Sequence, residues 1–209
     1  RHAAADRLRR SWRRAAHREA RLRIGVDIRP FYEPLTGVGW YLFYLLRELA
    51  KQEDVELYLF GDARVTDFGP HLHADIPAGA RLCVFDLRGM PFSPLSRPLT
   101  AGAYVALLAL SDCDVFFGPN YFLPRLHSAA ATRRVVTIHD LTWKRFPRLL
   151  QKETLENLER QMTRELAVAD AVICVSESTR RDLLEFYQID PGRVVAIHSG
   201  LGSPPDAEP

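Results

Sequence analysis

A chain of 209 residues with 47% apolar content can bury a substantial core, as one large domain or two small ones, which excludes disorder as its main state. The longest uncharged apolar stretch, Leu99 to Leu110, falls short of the ~20 residues a bilayer span requires. Three dispersed cysteines, Cys83, Cys113 and Cys174, make neither a disulfide framework nor a metal-ligand cluster, and the expected location is a reducing cytoplasm. The net charge of +2 is uneven: residues 1–23 carry nine Arg against Asp6 and Glu19, so the remainder is mildly acidic and argues against nucleic acid as the main partner.

Residues 1–21 read as a basic extension. Leu8, Trp12, Ala15 and Ala16 recur at helical spacing among Arg7, Arg9, Arg10, Arg13, Arg14 and Arg18, a pattern that fits a solvated extension, a cationic helix lying on an anionic membrane, or a targeting peptide. From Leu22 to Ser199 short apolar runs alternate with helical patterns, the signature of βα units around a mostly parallel, Rossmann-like sheet. Strands are expected at Leu22–Ile28, Val55–Phe60, Arg81–Leu87, Asp114–Phe117, Arg134–Ile138, Ala171–Val175 and Val194–His198, with helices at Val38–Lys51, Leu99–Ser111, Lys152–Ala169 and Glu177–Gln188. The stretches Gly61–Ala80 and Arg88–Pro98 read as loops, and residues 200–209 as the start of a linker.

In open parallel sheets the ligand crevice lies beyond the carboxyl ends of the strands, where the strand order reverses. The polar residues just past strands are Asp27 and Arg29, Asn120 and Tyr121, His139 and Asp140, and Ser176. After the first strand, Thr36-Gly37-Val38-Gly39-Trp40 opens into an apolar helix. Its free N–H groups and positive terminus suit an anion, and a structural turn accounts for the glycines equally well. The full dinucleotide fingerprint is absent, since no third glycine follows. His139 stands at the mouth of the crevice, where an imidazole with a pKa near ~6.5 can donate to a phosphate or a sugar hydroxyl; a packed histidine is the bland reading. Asp140 fits two roles, capping the following turn and contributing to binding. No Ser or Cys is accompanied by a His–acid pair, and the histidines lack metal spacing.

Four segments in series carry a resemblance: Ile24-Gly25-Val26-Asp27-Ile28-Arg29-Pro30 with Thr36-Gly37-Val38-Gly39, then Asp114-Val115-Phe116-Phe117-Gly118-Pro119-Asn120, then Thr137-Ile138-His139-Asp140-Leu141, then Ala169-Asp170-Ala171-Val172-Ile173-Cys174-Val175-Ser176-Glu177-Ser178-Thr179. In this order they resemble the N-terminal half of retaining GT-B glycosyltransferases of family four, the mannosyl- and rhamnosyltransferase-like group. The family usually has Asn-Gly before its interdomain linker, where this chain has Ser199-Gly200.

The resemblance implies an α/β, Rossmann-like acceptor-side domain that faces a C-terminal donor domain across a cleft. This second domain is absent from the 209 residues, so the isolated chain is expected to be inactive. It implies that Gly37, Val38 and Gly39 approach the donor diphosphate, that His139 reaches the donor sugar as the catalytic residue, and that Asp27, Arg29, Asn120, Tyr121, Asp140 and Ser176 line the acceptor side. The implied reaction transfers a sugar, with retention, from a GDP-, UDP- or dTDP-linked donor to a glycan or lipid-linked acceptor at the inner membrane face. It uses no metal and no cofactor. The competing reading is a non-catalytic binding or scaffold module that keeps the fold.

Overall fold

The computed structural model describes residues 21–31, 36–62, 80–85, 111–121, 123 and 132–200. Seven strands form one sheet in the order β3-β2-β1-β4-β5-β6-β7, and every neighbouring pair is parallel. The strands are β1 (Leu22–Asp27), β2 (Val55–Asp62), β3 (Arg81–Phe85), β4 (Val115–Gly118), β5 (Arg133–Ile138), β6 (Ala171–Cys174) and β7 (Val194–Ala196). Among the described residues the α-helices are α1 (Gly37–Leu49), the single-turn α2 (Thr142–Arg145), α3 (Lys152–Val168) and α4 (Glu177–Phe186). This is a doubly wound Rossmann-like α/β sheet, because strands 1 to 3 step one way and strands 4 to 7 the other. The reversal falls between β1 and β4, where Ile24, Gly25 and Val26 pair with Val115, Phe116 and Phe117.

Each face of the sheet buries its own set of side chains. On one face α1 lays Leu42 and Leu46 against Val26, Ile28, Leu57, Leu59 and Phe117. On the other, Met162 and Leu166 of α3 and Leu183 of α4 close over Phe60, Phe116, Val136, Ile138, Val172 and Cys174. The central strands are apolar because both faces are covered, and β4 is buried at all four positions. Gly25 answers to this crowding: a Cβ there would lie 2.9 Å from Phe60 Cε2 and 3.2 Å from Phe116 Cδ2. Cys113 and Cys174 are buried thiols, and burial pushes the Cys174 thiol up to about 12, which leaves it inert at neutral pH.

At the amino ends of the strands two carboxylates close the sheet. Asp114 accepts from the Arg23 N–H at 2.9 Å, and Asp170 accepts from the Arg134 N–H at 2.9 Å. The Arg193 guanidinium donates to the carbonyls of Leu166, at 2.9 Å, and Ala169, satisfying the end of α3. With that edge occupied by structural pairs, the carboxyl edge is left for ligands.

All seven expected strands are present, with shifted ends. β2 runs two residues past Phe60 into the stretch read as a loop, and β7 stops at Ala196, short of His198. α1 starts at Gly37, one residue earlier than the pattern predicts, so the glycines lie inside its first turn. Trp40 belongs to an apolar helix yet is 37% exposed, stacked on Tyr44 with Phe43 edge-on. The expected helix Leu99–Ser111 lies outside the described residues except for Ser111, as do residues 1–20, Arg88–Pro98, most of Gly61–Ala80 and 201–209. Among the described residues no helix is long and apolar enough to cross a membrane.

Candidate functional site

The carboxyl ends of β1 and β4 flank the switch point, those of β5 and β6 follow along the same edge, and α1 reaches this edge through Tyr41. Thr36 is the N-cap residue of α1 in extended conformation and makes no side-chain cap bond. The amides of the first turn, from Gly37 to Gly39, precede the first i→i−4 bond, which runs from Trp40 N to Thr36 O at 2.9 Å. They present a positive helix end to the crevice. A Cβ on Gly37 would meet nothing within 4 Å.

One turn into the same helix, Tyr41 reaches back to the sheet. Its hydroxyl shares a hydrogen bond with Thr137 Oγ1 at 3.1 Å, and its ring meets the His139 ring edge-on, centroids 5.0 Å apart. Burial raises the Tyr41 pKa, against the lowering effect of the Thr137 bond, so the phenol stays protonated. Thr137 is fully buried within an otherwise apolar strand end. That lone hydroxyl among Val135, Val136 and Ile138 is the sequence signal for this contact, and Tyr41 carries none.

His139 Nε2 lies 2.8 Å from the carbonyl oxygen of Pro119. A carbonyl only accepts, so Nε2 carries the proton. Burial lowers the pKa of His139 below its usual value, outweighing the Pro119 bond and the nearby Asp140 charge, both of which raise it. The ring is therefore neutral near about pH 7, and Nδ1 offers a lone pair. This changes the expectation drawn from sequence: the proton that His139 was to donate is engaged by Pro119, and the nitrogen left for a ligand is an acceptor.

The loop after β4 is held from three sides. His139 bonds the Pro119 carbonyl, Gln161 Nε2 donates to the Tyr121 carbonyl at 3.1 Å, and the Tyr121 hydroxyl donates to the Asp140 carbonyl at 3.1 Å. Tyr121 occupies the left-handed region with φ 48°, a conformation a side-chain-bearing residue adopts only where its surroundings enforce it. Burial first, and the Asp140 carboxylate second, push its phenol up to about 12 against the relief of the backbone bond. Between these ties sits Asn120, whose Oδ1 is buried with no hydrogen-bond partner. An orphaned acceptor of this kind costs ~1–3 kcal/mol.

The remaining predicted residues separate into those at the crevice and those beneath it. Asp27 lies beneath: its side chain is 3% exposed, and both oxygens are held by Arg29, Nε to Oδ1 at 2.9 Å and Nη2 to Oδ2 at 2.8 Å. Instead of lining the crevice itself, Asp27 fixes Arg29, which keeps 32% of its side chain accessible. Asp140 is exposed and its Oδ1 accepts from Thr142 N at 2.9 Å, which is the turn-capping role. Ser176 caps α4 through Thr179 N at 3.0 Å and shares a hydrogen bond with the Thr179 hydroxyl at 2.9 Å. Thr179 in turn donates to the His139 carbonyl at 3.1 Å. Ser176 thus supports His139 from behind while forming part of an adjoining cleft. That cleft, about 620 Å³, lies between α4 and the segment 140–146. Among the described residues no group of three His, Cys, Asp or Glu side chains is placed to hold a metal ion.

The sequence model of Glycosyltransferase Family 4 matches residues 35–201. The chain is 28% identical over 187 residues to the O-antigen chain mannosyltransferase B of Escherichia coli, a match that covers 83% of this chain and 46% of that protein. Among solved structures, a glycosyltransferase from Rickettsia africae ESF-5 aligns over 86% of this chain and 43% of that one, with 13% identity and a TM-score of 0.46. The chain spans less than half the length of both relatives.

Proposed function

The chain belongs to glycosyltransferase family 4, and from that premise we propose that it is the acceptor-side half of an enzyme that moves a sugar from a nucleotide-sugar to a glycan or lipid-linked acceptor with retention. A donor half, absent from these 209 residues, completes the site in cis or in trans. The observation that carries the reading is the meeting of α1, whose first i→i−4 bond begins only at Trp40, with a neutral, fixed imidazole at His139 through the Tyr41 ring.

In this reading the Gly37, Val38 and Gly39 amides hold the donor diphosphate, which needs preorganised donors as negative charge grows on the departing group. His139 Nδ1 accepts from a hydroxyl of the donor sugar and fixes its orientation, with Tyr41 and Pro119 locking the ring. Asn120 Oδ1, buried and unpartnered, accepts from an acceptor hydroxyl next to Tyr121, with Arg29 at the end of the neighbouring strand β1. The departing diphosphate takes the acceptor proton, a step that calls for no metal and no cofactor. The E. coli relative is named a mannosyltransferase of O-antigen chains, and a polysaccharide acceptor at the cytoplasmic membrane face suits the Arg-rich residues 1–20.

The test is a transfer assay in the protein that joins this chain to its donor half, with GDP-, UDP- and dTDP-linked sugars offered to neutral glycan acceptors and the product anomer read by proton NMR. Transfer that keeps the donor's anomeric configuration is expected. Inversion, or no transfer from any donor, would overturn the proposal.

A further inference from the structure

We infer that the cleft between α4 and the segment 140–146 is a subsite for an uncharged saccharide unit of the acceptor. The inference rests on the transferase reading and extends it to the acceptor's chemistry. The cleft, about 620 Å³, is of the size that takes a small sugar. It shares a wall with the catalytic centre, because Thr179, which bonds the His139 carbonyl, and Ser176, which bonds Thr179, both line it. A saccharide seated here lies one hydrogen bond away from the His139 backbone.

Its lining combines an apolar platform with fixed polar groups. Phe146 is 58% exposed at the edge of the cleft, a cost in water that a sugar's C–H face would offset. Beside it an ion-pair cluster ties segment 140–146 to α4: Arg145 donates to Asp182 at 2.5 Å and to Glu185 at 2.5 Å, and its guanidinium lies 4.7 Å from the centre of the Phe186 ring. These charges are spent on one another and hold that tie rigid. The Thr142 and Ser178 hydroxyls and the Arg181 guanidinium, exposed at the same cleft, have no partner among the described residues. Together they match the rim of hydroxyls around a sugar ring.

The charge balance selects a neutral ligand. Asp140, Asp182 and Glu185 face the cleft against Arg145 and Arg181, and Arg145 is already neutralised. The start of α4 is closed to anions as well, since Ser176 caps it and Glu177 occupies its first turn. A phosphate entering this space meets a net negative field, whereas an uncharged polyol meets donors and acceptors.

The test is a proton–nitrogen NMR titration of the labelled chain with a mannobiose, a rhamnobiose and maltose, and separately with inorganic phosphate. At least one disaccharide is expected to shift the Thr142, Phe146, Ser178 and Arg181 amides at millimolar concentration, while phosphate leaves them unmoved. Phe146→Ala, at an exposed position, is expected to keep the folded spectrum and weaken binding about tenfold, and Arg181→Ala to do the same. Saccharide shifts centred on Asn120 and Tyr121 that spare Phe146 and Arg181 would overturn this subsite and leave the transferase reading standing. Phosphate shifts equal to the saccharide's, or unchanged affinity in both variants, would also overturn it. Absence of any saccharide shift anywhere on the chain would count against both.

Discussion

Replacing His139 with alanine and with glutamine separates its two jobs. Alanine removes the donor to the Pro119 carbonyl, a 2.8 Å bond, leaving a partly buried acceptor unpaired at ~1–3 kcal/mol. It also removes the edge-on contact with Tyr41, worth ~0.5–1.5 kcal/mol. The expected loss of stability is about 2–4 kcal/mol, or about 5–15 °C in Tm for a domain of this size. A glutamine side chain places an amide N–H near the position of Nε2, so most of that loss should return. It offers no lone pair where Nδ1 stood. In the proposed protein that joins this chain to a donor half, kcat/KM should therefore fall by roughly 10²–10³ for both substitutions, the scale of losing one preorganised polar contact. Urea denaturation gives the first quantity and transfer kinetics the second. If alanine cost under about 0.5 kcal/mol, the ring would not be what holds the β4 loop; if glutamine kept full turnover, Nδ1 would have no part in the reaction.

Gly25→Ala should cost about 1–3 kcal/mol by calorimetry, since its methyl would press on Phe60 and Phe116, both fully buried; an unchanged Tm would refute the crowding. Leu46→Ala, at a site 4% exposed, should cost about 2–5 kcal/mol, and Trp40→Ala, at 37% exposure, far less. The reverse ranking in denaturant titrations would mean that α1 presents its other face. Because the folded-state pKa of His139 is lowered, the unfolded chain binds the extra proton first. Stability is then full above about pH 6.5 and declines as pH falls below it. The stability gap between the wild type and His139→Gln should shrink on acidification; a gap that widens would show that the ring is charged in the folded state. Removing residues 1–20 should abolish co-sedimentation with anionic vesicles and leave Tm unchanged, and equal binding to neutral vesicles would contradict an electrostatic anchor.

What was legible in the sequence followed from burial. β1, β4 and β5 are covered on both faces, so their runs of Val, Ile and Phe announced strands, and the polar residues directly after them marked the ligand edge. α2 was not legible, because a single turn from Thr142 to Arg145 has no period to detect. The role of His139 was legible in place and not in chemistry: its direction of hydrogen bonding depends on a carbonyl 20 residues earlier, and no local pattern encodes which ring nitrogen meets it. Asp27 shows the same limit. A carboxylate at a strand end looks like a ligand-facing group until Arg29, two residues on, is seen to wrap it.

The reversal of strand order between β1 and β4 has a kinetic side. Arg23 and Asp114, bonded across that seam, are 91 residues apart, whereas Thr132 and Cys113 across the next one are 19 apart. Closing the longer loop costs about 1.4 kcal/mol more in chain entropy, so the strands on either side of the seam can assemble before the two groups zip together. The start of α1 lies on one side of that last seam and His139 on the other, so their contact through Tyr41 forms only when it closes. A slow step in refolding should therefore coincide with the appearance of binding competence, while helical content and most of the buried fluorescence are recovered earlier.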